Sequence, residues 1–146
     1  NPAVILLVED NAGDARLAAE ALKDGKISND LRHVVDGVEA MQFLRKQGPY
    51  KDVPRPDLML LDLNMPRMDG REVLEEMSKD PMLLNIPVVV LTTSDSDNDI
   101  INSYSRNANC YISKPVDYDQ FLKVIKSIEH FWFSVVSLPE TLPSRF

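Results

Sequence analysis

Only one cysteine, Cys110, occurs in 146 residues. An intrachain disulfide is therefore impossible, and a reducing compartment, the cytoplasm, is the expected location. There is no C-x-x-C pair and no Cys/His grouping at zinc spacing. No lysine- or arginine-rich block occurs, and the formal net charge is −7. Phosphate backbones and anionic lipid surfaces are held by clustered cations, so neither direct nucleic-acid binding nor membrane binding is expected. No apolar stretch approaches the roughly 20 residues that span a bilayer, and no signal-peptide pattern opens the chain. Internal repeats and low-complexity segments are also missing.

What is present is an ordinary globular composition, 44% hydrophobic, enough for one core and most simply one domain over 1–146. Short solid apolar runs alternate with helical spacing. Strands are predicted over 3–8, 31–35, 57–62, 87–92 and 109–113. Helices are predicted over 14–23, from Val38 through Leu44, over 71–79 and 97–106, and from Asp117 to about Phe133. Gly48 to Pro56 reads as a proline-spotted loop. Five strands and five helices in strict alternation predict an α/β fold, a parallel sheet covered by helices on both faces. The doubly wound, flavodoxin-like order 2-1-3-4-5 sets strands 1 and 3 side by side at the switch point, where such sheets bind ligands.

The residues at that edge carry the chemistry. The first strand runs into Glu9-Asp10, the third into Asp62, the fourth ends at Thr92, and the fifth leads into Lys114-Pro115. Three converging carboxylates repel one another, and a hard divalent cation resolves the repulsion. Mg²⁺ takes oxygen ligands and keeps several waters beside one or two carboxylates. Asp10 and Asp62 are the expected direct ligands, with Glu9 acting through a water and Asn64 offering its backbone carbonyl. Mn²⁺ or Ca²⁺ could substitute in crystals. Lys114 brings positive charge and Thr92 a hydroxyl. This set suits attack of a carboxylate on a phosphoryl group to give an acyl phosphate, and Asp62, central and flanked, is the expected nucleophile. Each residue alone has a plainer reading. Asp10 or Asp14 could cap the first helix, a loop lysine is usually solvated, and threonine suits strands. Their arrival at one end of different strands is what argues for a site.

The motifs Val8-Glu9-Asp10-Asn11, Asp36-Gly37-Val38-Glu39-Ala40, Asp62-Leu63-Asn64-Met65-Pro66 with Met68-Asp69-Gly70, Pro87 to Thr92, and Tyr111-Ile112-Ser113-Lys114-Pro115 together resemble the receiver domain of two-component response regulators (CheY-like) over residues 3–130. The resemblance implies Asp62 as phosphoacceptor, Glu9 and Asp10 as the acid pair, Thr92 as switch hydroxyl, Tyr111 as switch aromatic and Lys114 as the phosphate-contacting lysine. It implies a phosphohistidine on a sensor kinase as donor, and a cis peptide between Lys114 and Pro115. Cys110 stands where family members often have glycine, and a small buried thiol there implies only a local change. The segment Gly48 to Pro56 and the ending Ile128 to Ser134 with Leu138-Pro139 resemble the small single-domain regulators that partner phytochrome-type histidine kinases.

In the implied switch, Thr92 moves onto a phosphoryl oxygen, Tyr111 turns inward, and a new interaction surface results. Only residues 131–146 follow the receiver pattern, as an extended last-helix end and an irregular tail. The expected output is therefore protein contact, phosphate relay or self-association. The apolar Phe131, Trp132 and Phe133 are candidates for a homodimer interface, against the simpler reading that Trp132 packs on the core. Two competing functions stand beside this one. A Mg²⁺-dependent phosphohydrolase with an aspartyl nucleophile typically has a second aspartate two residues on. Here that position is Asn64, which cannot shuttle a proton. A scaffold receiver that is never phosphorylated has no need of the intact acid set.

Overall fold

The computed structural model describes residues 2–24, 28–92, 108–113 and 118–131. The helix expected over 97–106, the Lys114-Pro115 peptide, Trp132, Phe133 and the tail lie outside these described residues. Five strands, β1 (Ala3–Val8), β2 (Asn29–Val34), β3 (Leu58–Asp62), β4 (Val88–Thr92) and β5 (Ala108–Ser113), form one sheet in the order β2-β1-β3-β4-β5. Every pairing is parallel. The expected α/β fold and strand order are both found. Four α-helices are described: α1 (Ala12–Asp24), α2 (Gly37–Leu44), α3 (Gly70–Ser78) and α4 (Tyr118–Phe131).

Strand residues alternate between two cores. Leu6, Val8, Met59, Leu61, Val88 and Val90 face a cluster completed by Met41 and Phe43 of α2 and Val73, Leu74 and Met77 of α3. Ile5, Leu7, Leu58, Leu60, Val89 and Leu91 face the other, completed by Ala15, Ala18, Ala21 and Leu22 of α1 and Phe121 of α4. A strand covered on both faces is buried along its whole length, so β3 is apolar from Leu58 to Leu61 and turns polar only at Asp62, where it reaches the edge of the sheet. Each such leucine contributes about 1.5–3 kcal/mol on burial.

Local chemistry fixes the helix starts. Asn11, not Asp10 or Asp14, caps α1: its Oδ1 accepts the Asp14 N–H at 2.9 Å, so the helix begins two residues before the expected Asp14. Asp36 caps α2 by accepting the Glu39 N–H. Asp69 and Glu72 form a reciprocal capping box on α3. The expected loop after α2 contains one 3₁₀ turn, Gly48–Tyr50. Tyr50 stacks obliquely on Phe43, ring centroids 5.4 Å apart, and its hydroxyl donates to Glu39 Oε1.

Candidate functional site

Sheet register brings the acids together. Val8 is paired with Leu61, so the next residues of β1 and β3, Glu9 and Asp62, emerge side by side at the carboxyl edge. Asp62 is itself paired with Leu91, which sets Thr92 one step further along the same edge. At the start of β3 the register is locked from the opposite end. Asp57 Oδ2 accepts the Val4 N–H at 2.8 Å, and the Asp57 N–H donates to the Val4 carbonyl at 2.7 Å.

Glu9, Asp10 and Asp62 each offer a carboxylate oxygen, and the three oxygens lie within 4.8 Å of one another. Glu9 and Asp62 are fully buried, while Asp10 is exposed. Ligand oxygens around one octahedral cation with metal–oxygen distances near 2.1 Å are separated by roughly 3–4 Å. The cluster is therefore of the right size and chemistry for one hard divalent ion, reached from the Asp10 side. Backbone donors hold the buried acids in place. Glu9 Oε2 accepts the Asn11 N–H at 3.1 Å, and Asp62 Oδ1 accepts the Asn64 N–H at 3.0 Å. His33 Nε2 lies 2.8 Å from the Glu9 carbonyl oxygen. That oxygen can only accept, so Nε2 carries the proton.

The loop after Asp62 is held at several points. The Leu63 N–H donates to the Leu91 carbonyl, and the Gly70 N–H to the Leu63 carbonyl. A Cβ on Gly70 would lie 2.5 Å from the Asp62 carbonyl oxygen, so the α3 start can sit this close to the acceptor strand only as glycine. On the other side, Arg67 Nε donates to Asp36 Oδ2 at 2.7 Å. Burial pushes the Asp36 carboxyl up. The Arg67 hydrogen bond, the N–H groups of Glu39 and Val38, and the guanidinium charge outweigh that and hold it below its ordinary value.

Of the residues singled out in the sequence, the structure brings Glu9, Asp10 and Asp62 together and puts exposed Asn64 two residues on. Thr92 ends β4 and Tyr111 lies in β5 opposite Val90; their side chains, and that of Phe131 at the end of α4, are outside the description, as is Lys114. The Asp36–Arg67 pair was not foreseen. Asp36-Gly37 announced only a helix start, and nothing in Pro66-Arg67-Met68 says that the loop folds back onto it. Among the described residues, no helix is long and apolar enough to cross a membrane.

Comparison with known proteins agrees with this geometry. The response regulator receiver domain family matches residues 5–126. The chain is 50% identical over 138 residues to the response regulator Rcp1 of Synechocystis sp., covering 94% of each chain. It superposes with a TM-score of 0.79 on the phosphorylated cyanobacterial phytochrome response regulator RcpA, at 49% identity, covering 92% of this chain and 96% of that one. The Mn²⁺-bound form of Rcp1 gives a TM-score of 0.78 at the same identity and coverage. With the fold, the strand-edge acids and these matches in agreement, the chain belongs to the response regulator receiver domain family.

Proposed function

We propose that Asp62 accepts a phosphoryl group from a phosphohistidine of a sensor histidine kinase of the phytochrome type, and that the phosphorylated chain signals through an altered protein-binding surface. The observation that carries this reading is the meeting of Glu9, Asp10 and Asp62 within 4.8 Å at the carboxyl ends of adjacent strands. The partner class rests on the similarity to Rcp1 and RcpA. In the transfer, an Asp62 carboxylate oxygen forms a bond to phosphorus, the P–N bond breaks, and the imidazole leaves and takes up a proton. A Mg²⁺ ion held by Asp10, Asp62 and the Asn64 carbonyl, with Glu9 through a water, would neutralise phosphoryl oxygens as charge shifts between donor and acceptor.

The chain's own residues do the remaining work. The Asn64 N–H orients the Asp62 carboxylate. Lys114 contacts the phosphoryl group. Thr92 and Tyr111 couple the phosphoryl group to the surface. The receiver assists its own phosphorylation and dephosphorylation rather than turning over a separate substrate. It acts in the cytoplasm, without direct contact to nucleic acid or membrane, and as a homodimer through Phe131, Trp132 and Phe133.

Incubation with acetyl phosphate and Mg²⁺ tests the central claim. One acid-labile phosphate per chain, absent from Asp62→Asn and after chelation, is the expected result. Steady release of phosphate without a labelled intermediate favours the hydrolase, and no labelling at all favours the scaffold. Sedimentation of the chain truncated after His130 tests the homodimer; undiminished association removes those aromatics from the interface.

A further inference from the structure

The backbone at Arg67 has φ of +67°, in the left-handed region where a long side chain is disfavoured. The Met68 N–H donates to the Pro66 carbonyl at 2.8 Å. An i-to-i+2 hydrogen bond around a positive φ is the tighter and rarer form of γ-turn, and it is strained. Strain of this kind persists only where the surroundings over-determine it. The surroundings are here the turn that opens α2. Asp36, with a side chain 7% exposed, takes the Arg67 guanidinium at 2.7 Å. The Gly37 N–H donates to the Met68 carbonyl at 2.9 Å. A Cβ on Gly37 would lie 2.2 Å from that carbonyl oxygen, so the two backbones touch only because residue 37 is glycine. Thus the loop leaving Asp62, which carries Asn64, is fastened to α2 by one ion pair and one backbone bond across a strained turn.

We infer that Arg67 is a positioning residue for the metal centre: its ion pair with Asp36 holds the strained turn, and so the loop carrying Asn64, in the arrangement that binds the divalent ion. The inference rests on the reading of Asp10, Asp62 and Asn64 as ligands. An arginine side chain 57% open to solvent would contribute little in an ordinary surface pair. This one differs because its partner carboxylate is buried and already committed as the α2 cap. Removing the guanidinium leaves a buried charge short of one hydrogen bond and frees a turn that its own backbone disfavours. Arg67 touches no reacting atom, and its effect passes through the loop.

Mn²⁺ affinity of the 146-residue chain, measured by electron paramagnetic resonance of the free ion, tests this. Arg67→Ala removes the guanidinium and leaves the positive φ disfavoured, while Asp36→Asn keeps a capping side chain and removes the charge. Both are expected to weaken Mn²⁺ binding roughly 10-fold, the low end for displaced supporting groups around a metal. The double variant is expected to bind no worse than either single one. Arg67→Lys is expected to recover most of the affinity, and Arg67→Gly, whose backbone adopts the positive φ without restraint, to bind Mn²⁺ more tightly than Arg67→Ala. With saturating Mg²⁺, labelling by acetyl phosphate should return to the wild-type rate. Wild-type Mn²⁺ affinity in Arg67→Ala or in Asp36→Asn overturns the inference, as does a labelling rate that stays depressed at saturation. Asp10→Asn is the control. Unchanged binding there removes the metal reading itself; lost binding there with unchanged Arg67→Ala removes only the role of Arg67.

Discussion

Two aspartates bound the same apolar run, Asp57-Leu58-Met59-Leu60-Leu61-Asp62, and the protein uses them in opposite ways. Asp57 meets a backbone N–H of β1 and closes a two-way clamp with Val4. Asp62, five residues on, meets two other carboxylates. The first carboxylate finds a donor that offsets its loss of water. The second is placed, fully buried, where like charges gather. Sequence distance and residue type are the same at both ends, and the direction of the strands decides. Parallel β1 and β3 start together at Asp57 and finish together at Glu9 and Asp62, so one end becomes a fastening and the other a site.

Substitutions at the two ends should separate these roles. The largest effect is expected for Asp62→Asn. Acetyl phosphate labelling should vanish, while the metal-free thermal midpoint should rise by roughly 2 °C as repulsion falls. A drop in that midpoint would make Asp62 structural like Asp57. Next comes Gly70→Ala, which forces a methyl group against the Asp62 carbonyl and should cost about 1–3 kcal/mol by urea denaturation. Asp57→Ala should cost about 1 kcal/mol for a part-buried hydrogen bond and leave the extent of labelling unchanged. Lost labelling in that variant would mean that the clamp also shapes the site.

The smallest effect concerns pH. The Asp36 carboxyl lies below its ordinary value in the folded chain, so it binds protons less readily than in the unfolded chain. Its stabilisation is present above the unfolded value of about 3.9 and is lost as pH falls through the lower folded value. Urea midpoints taken from pH 6 down to pH 3 should therefore fall more steeply for the wild type than for Asp36→Asn. Parallel curves would show that Arg67 and the α2 cap do not hold that carboxylate.

The fold was legible because a doubly wound sheet writes itself in solid apolar strands and alternating helices. The strand order then gave the meeting of Glu9, Asp10 and Asp62. Element ends were less legible because they depend on hydrogen bonds between distant segments. β2 begins at Asn29 rather than Leu31 because pairing with β1 runs back to Ala3. α1 begins at Ala12 because Asn11 supplies the cap, although Asp10 and Asp14 were equally plausible by residue type. The Asp36–Arg67 pair spans 31 residues, and the reversed turn that produces it leaves no trace in hydrophobic periodicity.

The complete burial of β3 has one mechanical consequence. A strand wedged between two tightly filled layers has no slack in which to bow or slide, because interiors of this density resist compression. Any push that begins at its tip must travel outward along the loops and rims of the sheet, leaving the middle of the molecule still.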